Sequence, residues 1–218
     1  MEYDAAKAEL IRHAGITDDF YDSGFLGCLR PYNGIKACNF HSVIEALLSV
    51  GESIARPKLI ERELVEAVFV ITVKARNWAI TDGSMLVRNQ LISNEDREQM
   101  RAWIEIIEFI MLDLLQGQSS HDCIDRYCEY VAEFGWGEND AFFIPLLAAA
   151  IETEDVGDRL QGLCAAVAKL GPKGAIILSS LRRARQREWK WYEPHDRCTA
   201  EMRHFIDQAV AAVGGKSI

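Results

Sequence analysis

Three carboxylates stand among aromatic side chains in the run Asp18-Asp19-Phe20-Tyr21-Asp22-Ser23-Gly24. Two carboxylates held close can divide acid and base roles in a proton transfer, with Tyr21 or His41 as a further donor. The same residue types also cap turns and stay solvated. His121, Asp125 and Cys128 fall at i, i+4 and i+7, one side of a helix, and offer the nitrogen, oxygen and sulfur donors that zinc accepts. Ile124, Tyr127 and Val131 define the buried face of that helix, so Cys128 reads as an edge-of-core residue rather than a ligand. Glu201 and His204 supply half of the carboxylate and histidine pattern of di-metal bundles. The other half is missing, because Glu9 with His13 and His41 with Glu45 have i, i+4 spacing. No GxSxG elbow, glycine-rich phosphate loop or HExxH pair occurs. The expectation is no metal, no cofactor and no locally encoded catalytic group, leaving an enzyme with an inter-helical pocket as the alternative reading.

Charge is the more informative signal. The net charge is −9, and residues 1–180 hold 28 acids against 16 bases, whereas 181–218 hold 5 acids and 8 bases. Between Asp122 and Asp158 there are ten acids and one base, Arg126. Such a surface repels phosphate backbones and attracts cationic partners. Asp122, Asp125, Glu129, Glu133, Glu138, Asp140, Glu152, Glu154 and Asp155 are the candidate partner-binding residues. The opposite charge gathers at Arg182, Arg183, Arg185, Arg187 and Lys190, beside Trp189 and Trp191. Arginines interleaved with aromatics can bind single-stranded nucleic acid. Cations late in a helix also offset the negative end of its dipole, and these can pair with the acidic stretch. Residues 165–185 partly resemble a helix-turn-helix, but Pro172 sits in the turn and Ser180 where an apolar residue is expected, so nucleic acid is not the favoured partner.

The elements that must carry these groups are helical from end to end. Apolar residues recur at spacings of three and four in 3–14, 39–50, 57–78, 93–116, 120–135, 140–152, 153–170, 173–192 and 199–213. Ser93 with Asp96 resembles a capping box. The β-branched patch Val68–Val73 could be a strand, but its charged periodic flanks favour a helix, with Ile60, Leu64, Val65, Val68, Phe69 and Thr72 inward. An all-α, compact bundle of about eight or nine helices is predicted. Residues 1–218 are taken as a single all-helical domain, with a joint available at 117–120 that could separate two closely packed subdomains.

The longest uncharged apolar run, Ala141–Ile151, is eleven residues, short of the roughly 20 that span a bilayer. The N-terminus carries Glu2, Asp4 and Glu9 and no apolar stretch, which predicts a cytoplasmic protein. Six scattered cysteines without a CxxC pair predict reduced thiols. The reading that joins these features is a protein-binding module, an inhibitor or immunity protein that occludes a basic partner such as a toxin through its acidic helical surface. A nucleic-acid regulator using 181–190 is the second alternative.

Overall fold

The computed structural model describes residues 1–16, 23–56, 60–191 and 198–214. Among these there is no strand, and eight α-helices have ten residues or more, so the all-α expectation holds. The chain groups into two compact units, Met1–Ser119 and Ser120–Ile218.

Unit 1 contains α1 (Tyr3–His13), α2 (Ala37–Ser49), α3 (Gly51–Ala55), α4 (Arg62–Ala75), α5 (Met85–Arg88) and α6 (Asn94–Leu115). Helix α1 packs on α2 and α4, and both of those pack on α6. The spacing of Phe40, Val43, Ile44, Leu47 and Leu48 puts all five on the buried side of α2. Phe40 stacks on Trp103 of α6 with ring centroids 5.1 Å apart. The capping reading of Ser93 is correct, since its hydroxyl accepts from the Asp96 amide at 3.0 Å. The β-branched patch is helical, yet two of its expected inward residues point out. Val65 is 38% and Phe69 64% exposed, while Leu64, Ala67, Val68, Ile71 and Ala75 are buried. Helix α4 is apolar on three sides, so periodicity alone could not fix which stripe faces inward. It ends in a π-helical turn, Arg76–Ile80.

A buried polar joint fastens the end of α1. His13 is 1% exposed, and its Nδ1 accepts from the Phe25 amide at 3.0 Å. A neutral ring accepting at Nδ1 carries its proton on Nε2, which can donate to Glu9 Oε1, 3.1 Å away. Ser42 of α2 donates to the same oxygen at 2.9 Å, and Arg12 donates to Glu9 Oε2 at 2.9 Å. These donors, led by His13 and then Ser42, hold the Glu9 carboxyl at about 2, well below its ordinary range.

Unit 2 contains α7 (Asp125–Phe134), α8 (Phe143–Thr153), α9 (Gly157–Leu170), α10 (Leu178–Ala184) and α11 (Cys198–Ala212). Helix α9 packs against both α7 and α11. An aromatic cluster seals the start of α8: Tyr127 lies 5.0 Å from Phe143 and 5.7 Å from Trp136, centroid to centroid. The Trp136 indole N–H donates to the Ala166 carbonyl at 2.9 Å. From Gly157 to Ala184 the chain is continuously helical, with a window of mean hydropathy 1.3, enough by length and composition to cross a bilayer. It is nonetheless jointed, because Gly171 takes φ +57° and residues Gly171–Ile177 are 3₁₀.

The helix expected over 173–192 stops at Ala184. Beyond it the Arg187 guanidinium donates to the carbonyls of Ile151 and Glu152, both at 2.5 Å, at the end of α8. The Lys190 amide donates to the Asp155 carbonyl at 2.8 Å, and the Gly157 amide to the Lys190 carbonyl at 2.7 Å. These tertiary bonds outweigh the local helical preference of the arginine-rich segment. Gly157 is required there, because a Cβ on it would come within 2.6 Å of the Trp191 ring. All six cysteines are free thiols, and five of them are buried.

Candidate functional site

Four of the nine candidate acids converge. Asp122, Asp125, Glu154 and Asp155 line a polar cleft of about 200 Å³ in unit 2, together with His121, Thr153 and Arg159. Asp125 opens α7, and Glu154 and Asp155 lie in the connection between α8 and α9. Arg159, on the first turns of α9, organises the cleft. Its Nε donates to Asp125 Oδ2 at 2.8 Å and stands 3.2 Å from Glu154 Oε2, and its Nη2 donates to the Asp122 carbonyl at 3.0 Å. The Asp125 and Glu154 side chains are only 16% and 10% exposed, so one guanidinium serves two carboxylates largely withdrawn from water. Glu154 also accepts from the Val156 amide at 2.8 Å through Oε1. Asp122 remains more open and lies 3.5 Å from His121 Nε2.

Sequence reasoning missed Arg159. An acid four residues before a base, Asp155 to Arg159, was the available signal, and it points to the wrong partner. The guanidinium reaches Glu154 and, across 34 residues, Asp125. Replacing it by glutamine strands two poorly solvated carboxylates, so Arg159→Gln should destabilise the fold by about 1–2 kcal/mol, less than a fully buried pair because one third of the arginine faces water. Urea denaturation of the two proteins measures this. An unchanged midpoint would mean that the cleft relaxes without cost.

The remaining acids divide between internal pairs and open surface. Asp140 is paired with Lys173 at 2.6 Å. Glu152 accepts from Ser180 at 2.7 Å and pairs with Arg183; these contacts, the serine first, lower its pKa below the ordinary value. Asp155 pairs with Lys190, which lowers it likewise. Glu129 is exposed and 3.5 Å from Arg126. Glu133 and Glu138 are exposed and have no ion-pair partner among the described residues. The acidic segment and the basic segment 182–190 therefore face each other in part.

The basic residues are correspondingly committed. Arg185 makes two hydrogen bonds to Asp207 of α11, at 2.8 and 3.1 Å. Arg183, Arg187 and Lys190 are held as described above, and Arg182 is exposed. Trp189 is 8% exposed and offers no face for a base to stack on. Ser180, the misfit in the helix-turn-helix outline, is buried because its hydroxyl is satisfied by Glu152.

The other chemically suggestive groups do not assemble. Cys128 is fully buried, and burial pushes its thiol well above the ordinary range, so it does not join His121 and Asp125 at the cleft. Among the described residues no three His, Cys, Asp or Glu side chains are placed to hold a metal ion. Glu201 and His204 are exposed on α11, where His204 Nε2 lies 2.9 Å from Gln208. His41 is half-buried and its pKa is lowered by that burial. The acidic loop 18–22, with Tyr21, lies outside the described residues. Compared with models of known protein families, with curated proteins and with solved structures, the chain matches none.

Proposed function

We propose that the chain is a protein-binding module, a cytoplasmic inhibitor of the immunity-protein kind, whose acidic cleft receives a cationic side chain of a basic partner such as a toxin. The observation that carries this reading is the convergence of Asp122, Asp125, Glu154 and Asp155 on one concave site that already holds a guanidinium, that of Arg159. With Arg159 on Asp125 and Glu154 and Lys190 on Asp155, four carboxylates meet two cations, and the remaining negative charge favours a further positive group. Glu129 and Glu133, exposed on α7, extend the negative field outward from Asp125 on the same helix and would steer the partner's approach.

Glu152 and Asp155 bond within the molecule, so the most direct test leaves them alone. Asp122→Lys, Glu129→Lys and Glu133→Lys change the open part of the surface. With a partner captured from native lysate, the triple variant should associate at least tenfold more slowly than the wild type, and the wild-type rate should fall steeply as salt rises. Association kinetics that ignore both the three reversals and the salt concentration would exclude this surface as the interface.

A further inference from the structure

A second cleft, of about 220 Å³, opens in unit 1, and the charge of its lining is the reverse of that in unit 2. It is lined by Ala14 and Gly15 after α1, by Leu26, Gly27 and Arg30, and by Lys74 and Trp78. The Arg30 guanidinium carbon and the Lys74 ammonium nitrogen each lie 5.8 Å from the centre of the Trp78 ring. Two cations thus share one indole. Neither has a carboxylate partner among the described residues. Cations at the helix contacts of the same unit are matched: Lys7 with Glu61 and Glu63, Arg76 with Glu108, Arg97 with Asp82. Two basic side chains, and no carboxylate among the described residues, therefore line this concavity.

The indole attracts each cation through its π face but has no net charge with which to neutralise either. An anion in the cleft would supply the negative charge that the ring lacks. The backbone is arranged to put the ring there. The π-turn Arg76–Ile80 closes with the Thr81 amide on the Arg76 carbonyl at 3.0 Å, and it leaves Ala79 to continue the buried stripe of α4 while Trp78 stays half-exposed at the cleft. Single π-turns within helices recur at functional positions.

We infer that this cleft binds a small organic oxyanion, its carboxylate or phosphate paired with the Arg30 and Lys74 side chains that line it and its flat or apolar body against Trp78, Leu26 and Ala14. The planar fork of arginine pairs two oxygens at once, and lysine adds a mobile point charge. The volume is below the roughly 300–1,000 Å³ of sites for drug-sized ligands, which limits the body to about one ring. This site lies in a different unit from the acidic cleft, and its ligand has the opposite charge, so the two readings stand or fall separately.

The test uses the full chain at low salt, titrated calorimetrically with benzoate, phenyl phosphate, inorganic phosphate and neutral benzyl alcohol. At least one aromatic anion should bind 1:1 and at least tenfold more tightly than benzyl alcohol, and the stronger of the two identifies the head group. Arg30→Gln and Lys74→Gln should each weaken that binding at least fivefold, whereas Lys74→Arg, which keeps the charge, should retain it. Trp78→Leu should weaken the aromatic anions more than inorganic phosphate. Arg30 and Lys74 are exposed, so the circular dichroism of their variants should match the wild type. Absence of binding by both aromatic anions at millimolar concentration would overturn the inference, as would affinity unchanged in the Arg30→Gln/Lys74→Gln protein.

Discussion

Tyr127→Ala should lower stability by about 3–5 kcal/mol, the range for emptying a large buried aromatic site. The residue is fully buried on α7, and its ring meets Trp136, Phe143 and, at 6.5 Å, Tyr130. All three neighbours are rigid rings that cannot collapse into the space, so a cavity persists and its cost adds to the lost transfer energy. The consequence reaches the acidic cleft, because Asp125 and Glu129 are carried by the same helix. Tyr127→Phe keeps the ring and should lose far less. Urea unfolding followed by far-ultraviolet dichroism and by indole fluorescence measures both. A Tyr127→Ala loss below about 1 kcal/mol would show that α7 does not depend on the cluster.

Glu9→Gln should cost about 2 kcal/mol near neutral pH, and the cost should vanish in acid. In the fold the Glu9 carboxyl is held at about 2, against an ordinary value of 4.5. A depressed acid stabilises the fold fully above its unfolded value, and that stability is lost as pH falls from about 4.5 through about 2. Each unit corresponds to about 1.4 kcal/mol, but the glutamine oxygen can still accept from Ser42 and His13, so the expected loss is smaller than the full shift. The gap between the denaturation midpoints of the two proteins should be full at pH 7, shrink to about a quarter at pH 2.5 and close only below pH 2. A gap at pH 2.5 as large as that at pH 7 would point to packing at residue 9 rather than to its charge.

The helices were legible in the sequence wherever one face alone is apolar. The stripe Phe40, Val43, Ile44, Leu47 and Leu48 has a single solution, and so has the Ser93 cap. Where a helix is apolar nearly all round, as α4 is, Val65 and Phe69 could be assigned inward or outward only once α1 and α6 are in place. The end of α10 was unreadable for a different reason: Arg187 and Lys190 leave the helix for carbonyls some 35 residues earlier, at Ile151, Glu152 and Asp155. The acidic composition of 122–158 was plain from the sequence. Which acids converge and which are already paired depends on Arg159, Arg183 and Lys190, whose side chains choose partners across the fold rather than along the chain. Lys74 and Trp78 stand at i, i+4, a spacing that marks one helix face, but nothing along the chain signals that Arg30 meets them from an earlier loop.

The uneven burial of the thiols gives the molecule a built-in clock. Cys38 is exposed at the start of α2, while Cys28 lies in the core of unit 1 and Cys123, Cys128, Cys164 and Cys198 in unit 2. Burial pushes the Cys164 thiol up to about 12, so in the folded state it stays protonated and shielded from alkylating reagents. Modification of any buried position then reports how often its surroundings open, one residue at a time. Cys38, modified first, leaves a single labelled site on an intact fold from which that breathing can be timed.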